Sequence, residues 1–251
     1  MPRINNSQNV QISGSSGVSI GAITQNVGAA EGTEEAGEAI SHRVRMLFIA
    51  ANPAGTVPLA LDREAQAIDQ ALTAAGSRDR FEVEQMWLAS PADLQRGLLR
   101  FDPQILHFAG HGVEGHLVFE SFSPGFRHLG TSGASTEVSA EEAVPAHSLA
   151  RIISLAADRI SCVVLNACCS EATAQEIARY VSFVIGVPAE IEDAAAIQFS
   201  WSFYQTLGSR RSLRVAFDLA CAQLGRAGAP SRSVPRLYAL RDDPGSMYFL
   251  E

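Results

Sequence analysis

One histidine and one cysteine stand out in this chain of 251 residues, because each follows a run of apolar residues. His111 lies between two glycines after the run ILHFA, and Cys168 follows the run CVVLNA. An unperturbed thiol is ionised by only a few per cent at neutral pH, and a nearby imidazole can take its proton. The thiolate can then attack a carbonyl carbon, and the imidazolium can protonate the leaving group. The pair therefore predicts nucleophilic chemistry by Cys168 with His111 as proton acceptor, provided that the fold brings them together.

Each of these residues also has a structural interpretation when it is taken alone. A free cysteine at the end of an apolar strand is more often a small buried hydrophobe than a nucleophile. His107 and Asn166 precede the pair in the same two runs, and strand alternation could bury either of them, so neither is assigned a third catalytic role. The pairing of imidazole and thiol at two strand ends favours the functional interpretation.

Further groups at the predicted site could bind a substrate. The backbone N–H groups of Gly112 and Cys168 would be placed to hold the oxyanion of a tetrahedral intermediate. Glu192 and Asp193 follow a predicted strand end, and an acidic pocket would favour Arg or Lys before the cleaved bond. The simpler alternative is that Asp193 caps a helix beginning at Ala194.

Strands alternate with amphipathic helices from Arg43 onward. The periodicity predicts strands at Arg45–Ala51, Phe81–Trp87, Gln104–Gly112, Cys162–Cys168, Phe183–Val187 and Leu237–Leu240. It predicts helices at Leu61–Ala75, Ala92–Arg100, Ala146–Ala157, Glu171–Tyr180, Ala194–Leu207 and Leu213–Leu224. A small hairpin is expected from Leu117–Phe119 and Gly125–Leu129. Apolar runs flanked by helices indicate an α/β fold with a mostly parallel sheet covered on both faces, whose strand ends carry the functional groups.

The first 31 residues differ from the rest of the chain. Residues 4–30 carry no charge and no aromatic side chain, and the stretches VQIS (10–13) and VSIG (18–21) alternate like short strands. Low charge, β-propensity and stacking amides are the ingredients of cross-β assembly, although a flexible polar tail is an equal alternative. Residues 32–43 are predicted to be a linker, and residues 44–251 the main domain.

Composition excludes several classes of function. A net charge of −8 with scattered arginines gives little support for nucleic-acid binding. The chain has no apolar run of membrane-spanning length and no signal-peptide pattern, so we expect a cytoplasmic protein without a membrane span. Four cysteines without paired CxxC spacing predict free thiols and no metal site. No phosphate-binding glycine motif is present, so no nucleotide or other cofactor is expected.

The runs LHFAGHG and VVLNAC, together with the opening LFIAANPAGTVPLALDREAQAIDQAL and the segment from Ser182 to Gln223, resemble the CHAT domain. CHAT domains are a branch of the caspase-like cysteine peptidases related to separase. The resemblance covers residues 44–250 and places the family's histidine at His111 and its cysteine at Cys168. Cys169 occupies a position where the family commonly has a polar or acidic residue. Ala189 and Ile191 depart from the family pattern, so the rim of the pocket is expected to differ.

The N-terminal stretches resemble the amyloid signalling motifs of bacterial immune receptors and effectors. Together the two resemblances imply a cysteine endopeptidase effector in bacterial immunity or regulated cell death. They imply a protein substrate, a receptor or adaptor with a matching motif as partner, and a homo-oligomer on activation. The alternative is a catalytically silent caspase-like adaptor or scaffold in the same assembly.

Overall fold

A six-stranded, mostly parallel sheet organises the part of the chain that this computed structural model describes, residues 43–121, 141–155, 159–240 and 242–250. The nine strands are β1 (Val44–Ala51), β2 (Phe81–Met86), β3 (Ile105–Gly110), β4 (Gly112–Val113), β5 (His116–Glu120), β6 (Glu141–Pro145), β7 (Cys162–Asn166), β8 (Phe183–Gly186) and β9 (Arg236–Ala239). The large sheet has the order β2-β1-β3-β7-β8-β9, in which only β9 is antiparallel to its neighbour. Strands β4, β5 and β6 form a small antiparallel sheet.

Six α-helices cover both faces of the large sheet. They are α1 (Leu61–Ala74), α2 (Pro91–Phe101), α3 (Ala146–Ser154), α4 (Glu171–Ile177), α5 (Asp193–Gly208) and α6 (Leu213–Arg226). Helices α1, α5 and α6 share one buried cluster with the sheet, and α2, α3 and α4 share the other. Short 3₁₀ turns lie at Arg78–Arg80 and Ser231–Ser233.

The apolar runs form central strands because side chains alternate between two covered faces. In β1, Met46 and Phe48 join the core under α1 and α5, whereas Leu47 and Ile49 join the core under α2 and α3. All four side chains are almost fully buried. The prediction of a mostly parallel sheet covered on both faces is therefore confirmed.

The predicted elements are present, with differences at their ends. The strand predicted to run through Gly112 ends at Gly110, and the strand predicted to include Cys168 ends at Asn166, so His111 and Cys168 both lie in the following turns. Helix α4 ends at Ile177, three residues before the predicted end. Helix α2 begins with Pro91, one residue before the predicted start, and is capped reciprocally by Ser90 and Asp93.

Some predictions fall outside the described residues. These are the N-terminal segment, most of the linker and the second hairpin strand at 125–129; the described antiparallel partners of β5 are β4 and β6 instead. Within the described ranges, no helix is long and apolar enough to cross a membrane. The same ranges contain no group of three or more His, Cys, Asp or Glu side chains arranged to hold a metal ion.

Candidate active site

The register between β3 and β7 places His111 and Cys168 at the same level of the sheet. The two strands are parallel neighbours, and Ala109 pairs with Asn166. His111 and Cys168 each lie two residues beyond that pair. The turns are also in contact, because a Cβ atom added to Gly112 would lie only 2.2 Å from the carbonyl oxygen of Cys168. A glycine is therefore required where the two turns approach each other.

A backbone carbonyl orients the ring of His111. Its Nε2 lies 2.9 Å from the carbonyl oxygen of Val57, in the loop between β1 and α1. A carbonyl can only accept a hydrogen bond, so Nε2 carries the proton and Nδ1 is the basic nitrogen. The imidazole is half-buried, and in this tautomer Nδ1 is the ring nitrogen that can accept a proton.

The sulfur of Cys168 is half-buried and lies against the segment that leads into α5. The N–H of Ile191 donates to its Sγ at 3.4 Å, and the thiol donates to the carbonyl of Ile191 at 3.7 Å, so the backbone of this one residue fixes the position of the sulfur. Among the described residues, the backbone N–H of Cys168 has no hydrogen-bond acceptor. A free backbone donor beside the sulfur is what an oxyanion site requires.

The other thiols are less suited to nucleophilic attack. Burial, the neighbouring Cys168 thiol and the carboxylates of Glu190 and Glu114 all raise the pKa of Cys169, which lowers its thiolate fraction at neutral pH. Burial and then Asp218 raise the pKa of Cys221 to about 12. Burial also raises the pKa of Cys162, which has no exposed surface.

Ser170 fixes the turn that carries the two adjacent cysteines. Its hydroxyl donates to the carbonyl of Leu165 at 3.1 Å and accepts from the N–H of Val187 at 2.9 Å, so it joins the ends of β7 and β8. The sequence patterns did not single out Ser170 as part of the site. A serine before a helix indicates an N-cap, but its side chain makes no capping bond to α4.

His107 and Asn166 do not face the site. Both are buried below it and meet the carboxylate of Glu64, which comes from α1. Sequence reasoning left their burial open and missed Glu64. A signal was present, because Leu61, Glu64, Ala65 and Ile68 have the spacing of one helix face, and a glutamate on an apolar face needs a buried partner.

The structure separates the roles of Glu192 and Asp193. Glu192 is exposed, whereas the carboxylate of Asp193 accepts a hydrogen bond of 3.0 Å from the N–H of Ala60 at the start of α1. Helix α5 begins at Asp193 itself, and its N-cap residue, Glu192, makes no side-chain capping bond. The interpretation that Asp193 caps a helix beginning at Ala194 is therefore wrong, because its carboxylate caps a different helix.

The fold and the site define a class: an α/β domain in which a histidine and a cysteine follow adjacent parallel strands. No family model matches the chain. Over 193 residues it is 26% identical to a Roc-COR-CHAT protease from an unknown prokaryotic organism, an alignment that covers 74% of this chain and 17% of the relative. Over 163 residues it is 28% identical to a probable protease of Gillisia limnaea, covering 64% and 26% of the two chains.

The crystal structure of Caspase-1 from Spodoptera frugiperda aligns with a TM-score of 0.49 and 10% identity, over 79% of this chain and 87% of that one. The chain spans about a quarter or less of the lengths of the two curated relatives it matches. The resemblance to CHAT-type proteases found in the sequence motifs is confirmed by a relative that is named for that domain.

Proposed function

We propose that residues 44–251 form a caspase-like cysteine endopeptidase domain in which Cys168 is the nucleophile and His111 the proton acceptor. The β3–β7 register supports this most directly, because it carries both residues two positions beyond one pair of adjacent strand residues. The similarity to two proteins named as proteases supports the same reaction class.

The proposed mechanism follows from the hydrogen bonds of the two side chains. Nδ1 of His111 takes the proton of Cys168, and the thiolate attacks the carbonyl carbon of the scissile peptide bond. The N–H groups of Gly112 and Cys168 hold the oxyanion. The imidazolium then gives its proton to the leaving amine, and water hydrolyses the acyl-enzyme with His111 acting again as base.

Cleavage of a co-expressed protein substrate tests the activity. Cys168→Ala is expected to abolish cleavage, whereas Cys169→Ala, the matched change at the adjacent thiol, keeps it. Equal cleavage by wild type and Cys168→Ala would remove Cys168 from the mechanism. A chain that cleaves nothing would favour the alternative function of a silent scaffold.

A basic residue is the proposed preference before the scissile bond. Glu192 is exposed next to the segment that contacts the Cys168 sulfur, and Glu114 and Glu190 lie close enough to raise the pKa of Cys169. Asp193 already accepts a backbone hydrogen bond, so its contribution is to place Glu192 rather than to contact the substrate. Glu192→Gln is expected to slow cleavage after Arg by several-fold while leaving cleavage after Ala unchanged; an equal effect on both peptides would contradict the assignment.

We also propose that residues 1–31 recruit and activate this domain in a bacterial immune or cell-death response. Templated assembly raises the local concentration of peptidase domains and so favours their pairing without any new contact. Proline blocks strand pairing, so Ile20→Pro in the full chain is expected to prevent fibre formation and partner-dependent cleavage. Asn5→Pro lies outside both alternating stretches and serves as the control. Unchanged assembly in Ile20→Pro would contradict this role.

A further inference from the structure

We propose that Glu64 is a positioning residue for the His111–Cys168 pair, an inference that rests on the proposed peptidase function. Glu64 lies in α1 with only 3% of its surface exposed. One of its carboxylate oxygens, Oε1, receives hydrogen bonds from three different elements of the fold. Those elements are the strands that lead to His111 and to Cys168, and the helix that follows the Cys168 sulfur contact.

The contacts converge on this single atom. Nε2 of His107, in β3, lies 2.8 Å from Oε1. The hydroxyl of Ser200, in α5, donates to Oε1 at 2.8 Å. The amide of Asn166, in β7, also donates to Oε1, and it reaches the Ser200 hydroxyl at 3.2 Å.

Two of these contacts have a defined direction, because the Asn166 amide and the Ser200 hydroxyl donate to the carboxylate oxygen. The ring of His107 is held at both nitrogens, with Nε2 at Oε1 of Glu64 and Nδ1 at 3.0 Å from the hydroxyl oxygen of Tyr204. The buried carboxyl group of Glu64 is therefore bound by side chains from β3, β7 and α5.

The network lies directly below the groups that hold the site. His107 is four residues before His111 in the chain, and Asn166 is two residues before Cys168. The N-terminus of α1 is bound to Asp193 through Ala60, and the loop that precedes α1 supplies the Val57 carbonyl to His111. Glu64 therefore connects the histidine, its orienting carbonyl and the cysteine to one buried atom.

Stability alone does not require a carboxylate at this position. Burial of a charge is costly, and well-packed apolar side chains of similar volume often replace buried polar groups without loss of stability. What the carboxylate adds is a fixed geometry, because all its partners must adopt one arrangement to satisfy it. A catalytic pair needs such support, since misplacement by about 1 Å can cost about 100-fold in rate.

The test is the rate at which iodoacetamide alkylates Cys168 in the full chain, measured at several pH values from about 5 to about 9. Mass spectrometry identifies the alkylated residue. This readout requires no known substrate. In Glu64→Gln we expect alkylation at neutral pH to slow by about tenfold, and the apparent pKa of alkylation to rise toward that of a free thiol. Charged groups near the adjacent thiols, including Glu114 and Glu190, are unchanged in this variant.

Thr206→Val is the matched control. Thr206 is buried and lies in α5 like Ser200, but its hydroxyl donates only within that helix, to the carbonyl of Ser202. It is expected to keep both the rate and the apparent pKa of wild type. Should Glu64→Gln not fold, Ser200→Ala, which removes one donor and keeps the carboxyl group of Glu64, is expected to shift the same two quantities in the same direction.

Two outcomes would overturn the inference in distinguishable ways. If Glu64→Gln, or Ser200→Ala in its place, keeps the wild-type rate and apparent pKa, Glu64 has no positioning role and the proposed peptidase stands. If wild-type Cys168 reacts as an unactivated thiol, with an apparent pKa of about 8.5, both in the free chain and in fibres of the full chain, the proposed function fails and this inference with it.

Discussion

At the scale of single residues, the contrast between Cys168 and Cys169 shows how much the backbone decides. The two thiols are adjacent in sequence, yet only Cys168 has a backbone N–H, that of Ile191, directed at its sulfur. Cys169 has a positive φ of 52° and donates its own N–H to the carbonyl of Ala189 at 3.0 Å. The local turn therefore gives two adjacent thiols of identical chemistry different surroundings, and the proposed nucleophile is the one whose sulfur receives a backbone N–H.

Gly112→Ala is expected to damage the site. The added methyl group would collide with the carbonyl oxygen of Cys168, a backbone atom that cannot move without displacing that residue. We expect Cys168 alkylation to slow by at least about tenfold. Gly225→Ala, in an exposed position of α6 with no atom near the added methyl, is the control and should stabilise the fold by about 0.5–1 kcal/mol. Unchanged alkylation in Gly112→Ala would contradict the observed contact between the two turns.

The carboxyl group of Glu120 is expected to make the free energy of unfolding depend on pH. Burial raises the pKa of its carboxyl, while a hydrogen bond from the Asn52 N–H opposes the shift, and its Oε2 has no partner among the described residues. A raised pKa means that the folded state binds the proton more tightly than the unfolded state. Stability from this group is therefore present at low pH and is lost as the pH rises from the unfolded pKa through the folded one.

Glu120→Gln removes this titration, so the variant should gain stability relative to wild type at neutral pH and lose that advantage in acid. Urea unfolding of both proteins at several pH values measures the difference. A difference in unfolding free energy that stays constant across the acid range would show that Glu120 does not titrate in this way.

The sequence pointed to His111 and Cys168, which the fold places beyond two adjacent strands, but not to the groups that contact them. His111 and Cys168 were visible because each ends an apolar run. Val57 acts through its carbonyl and Ile191 through its N–H, so their side chains carry no signal for these contacts. Glu64 and Ser200 meet only after α1 and α5 have packed, 136 residues apart in the chain.

At the scale of elements, the loop between β1 and α1 is held at both of its ends. The side chain of Asn52 exchanges two hydrogen bonds with the backbone of Leu59, both at 3.3 Å. Asp193 binds the N–H of Ala60 at the helix start. These bonds close the loop so that the Val57 carbonyl points to His111.

Asp193→Ala is expected to release the start of α1. Loss of a charged cap costs about 0.5–2 kcal/mol of unfolding free energy, and here it should also slow Cys168 alkylation, because the loop that orients His111 loosens. Ser90→Ala is the matched control, since it removes the cap of α2 and its reciprocal bond with Asp93. It should reduce stability by a similar amount and leave alkylation unchanged. Equal alkylation by both variants would show that the α1 cap has no effect on the site.

Most elements were predictable because both faces of the sheet are covered. Continuous apolar runs such as β3 and β7 predict central strands, because a central strand is buried on both faces. Ser90 followed by Pro91 marks the start of α2. The ends of the strands were less predictable. Ala167 continues the apolar composition one residue past the end of β7, so composition could not show where that turn begins.

At the scale of the whole molecule, the described domain contains all the groups that the proposed reaction requires. The similarity to two proteases covers 74% and 64% of the chain. The proposed assembly role of residues 1–31 depends on a different kind of evidence, the alternation of small apolar and amide residues. Peptidase chemistry and assembly can therefore be tested separately by substitutions in each segment of the full chain.

The central claim is that His111 activates Cys168. The most direct measurement is labelling of the full chain with a peptidyl electrophile that carries Arg at its reactive end, with the modified residue identified by mass spectrometry. We expect the label on Cys168, fast labelling in wild type and labelling slowed by about 100-fold or more in His111→Ala. Labelling of Cys169 or Cys221 instead, or an equal rate at Cys168 in His111→Ala, would contradict the account.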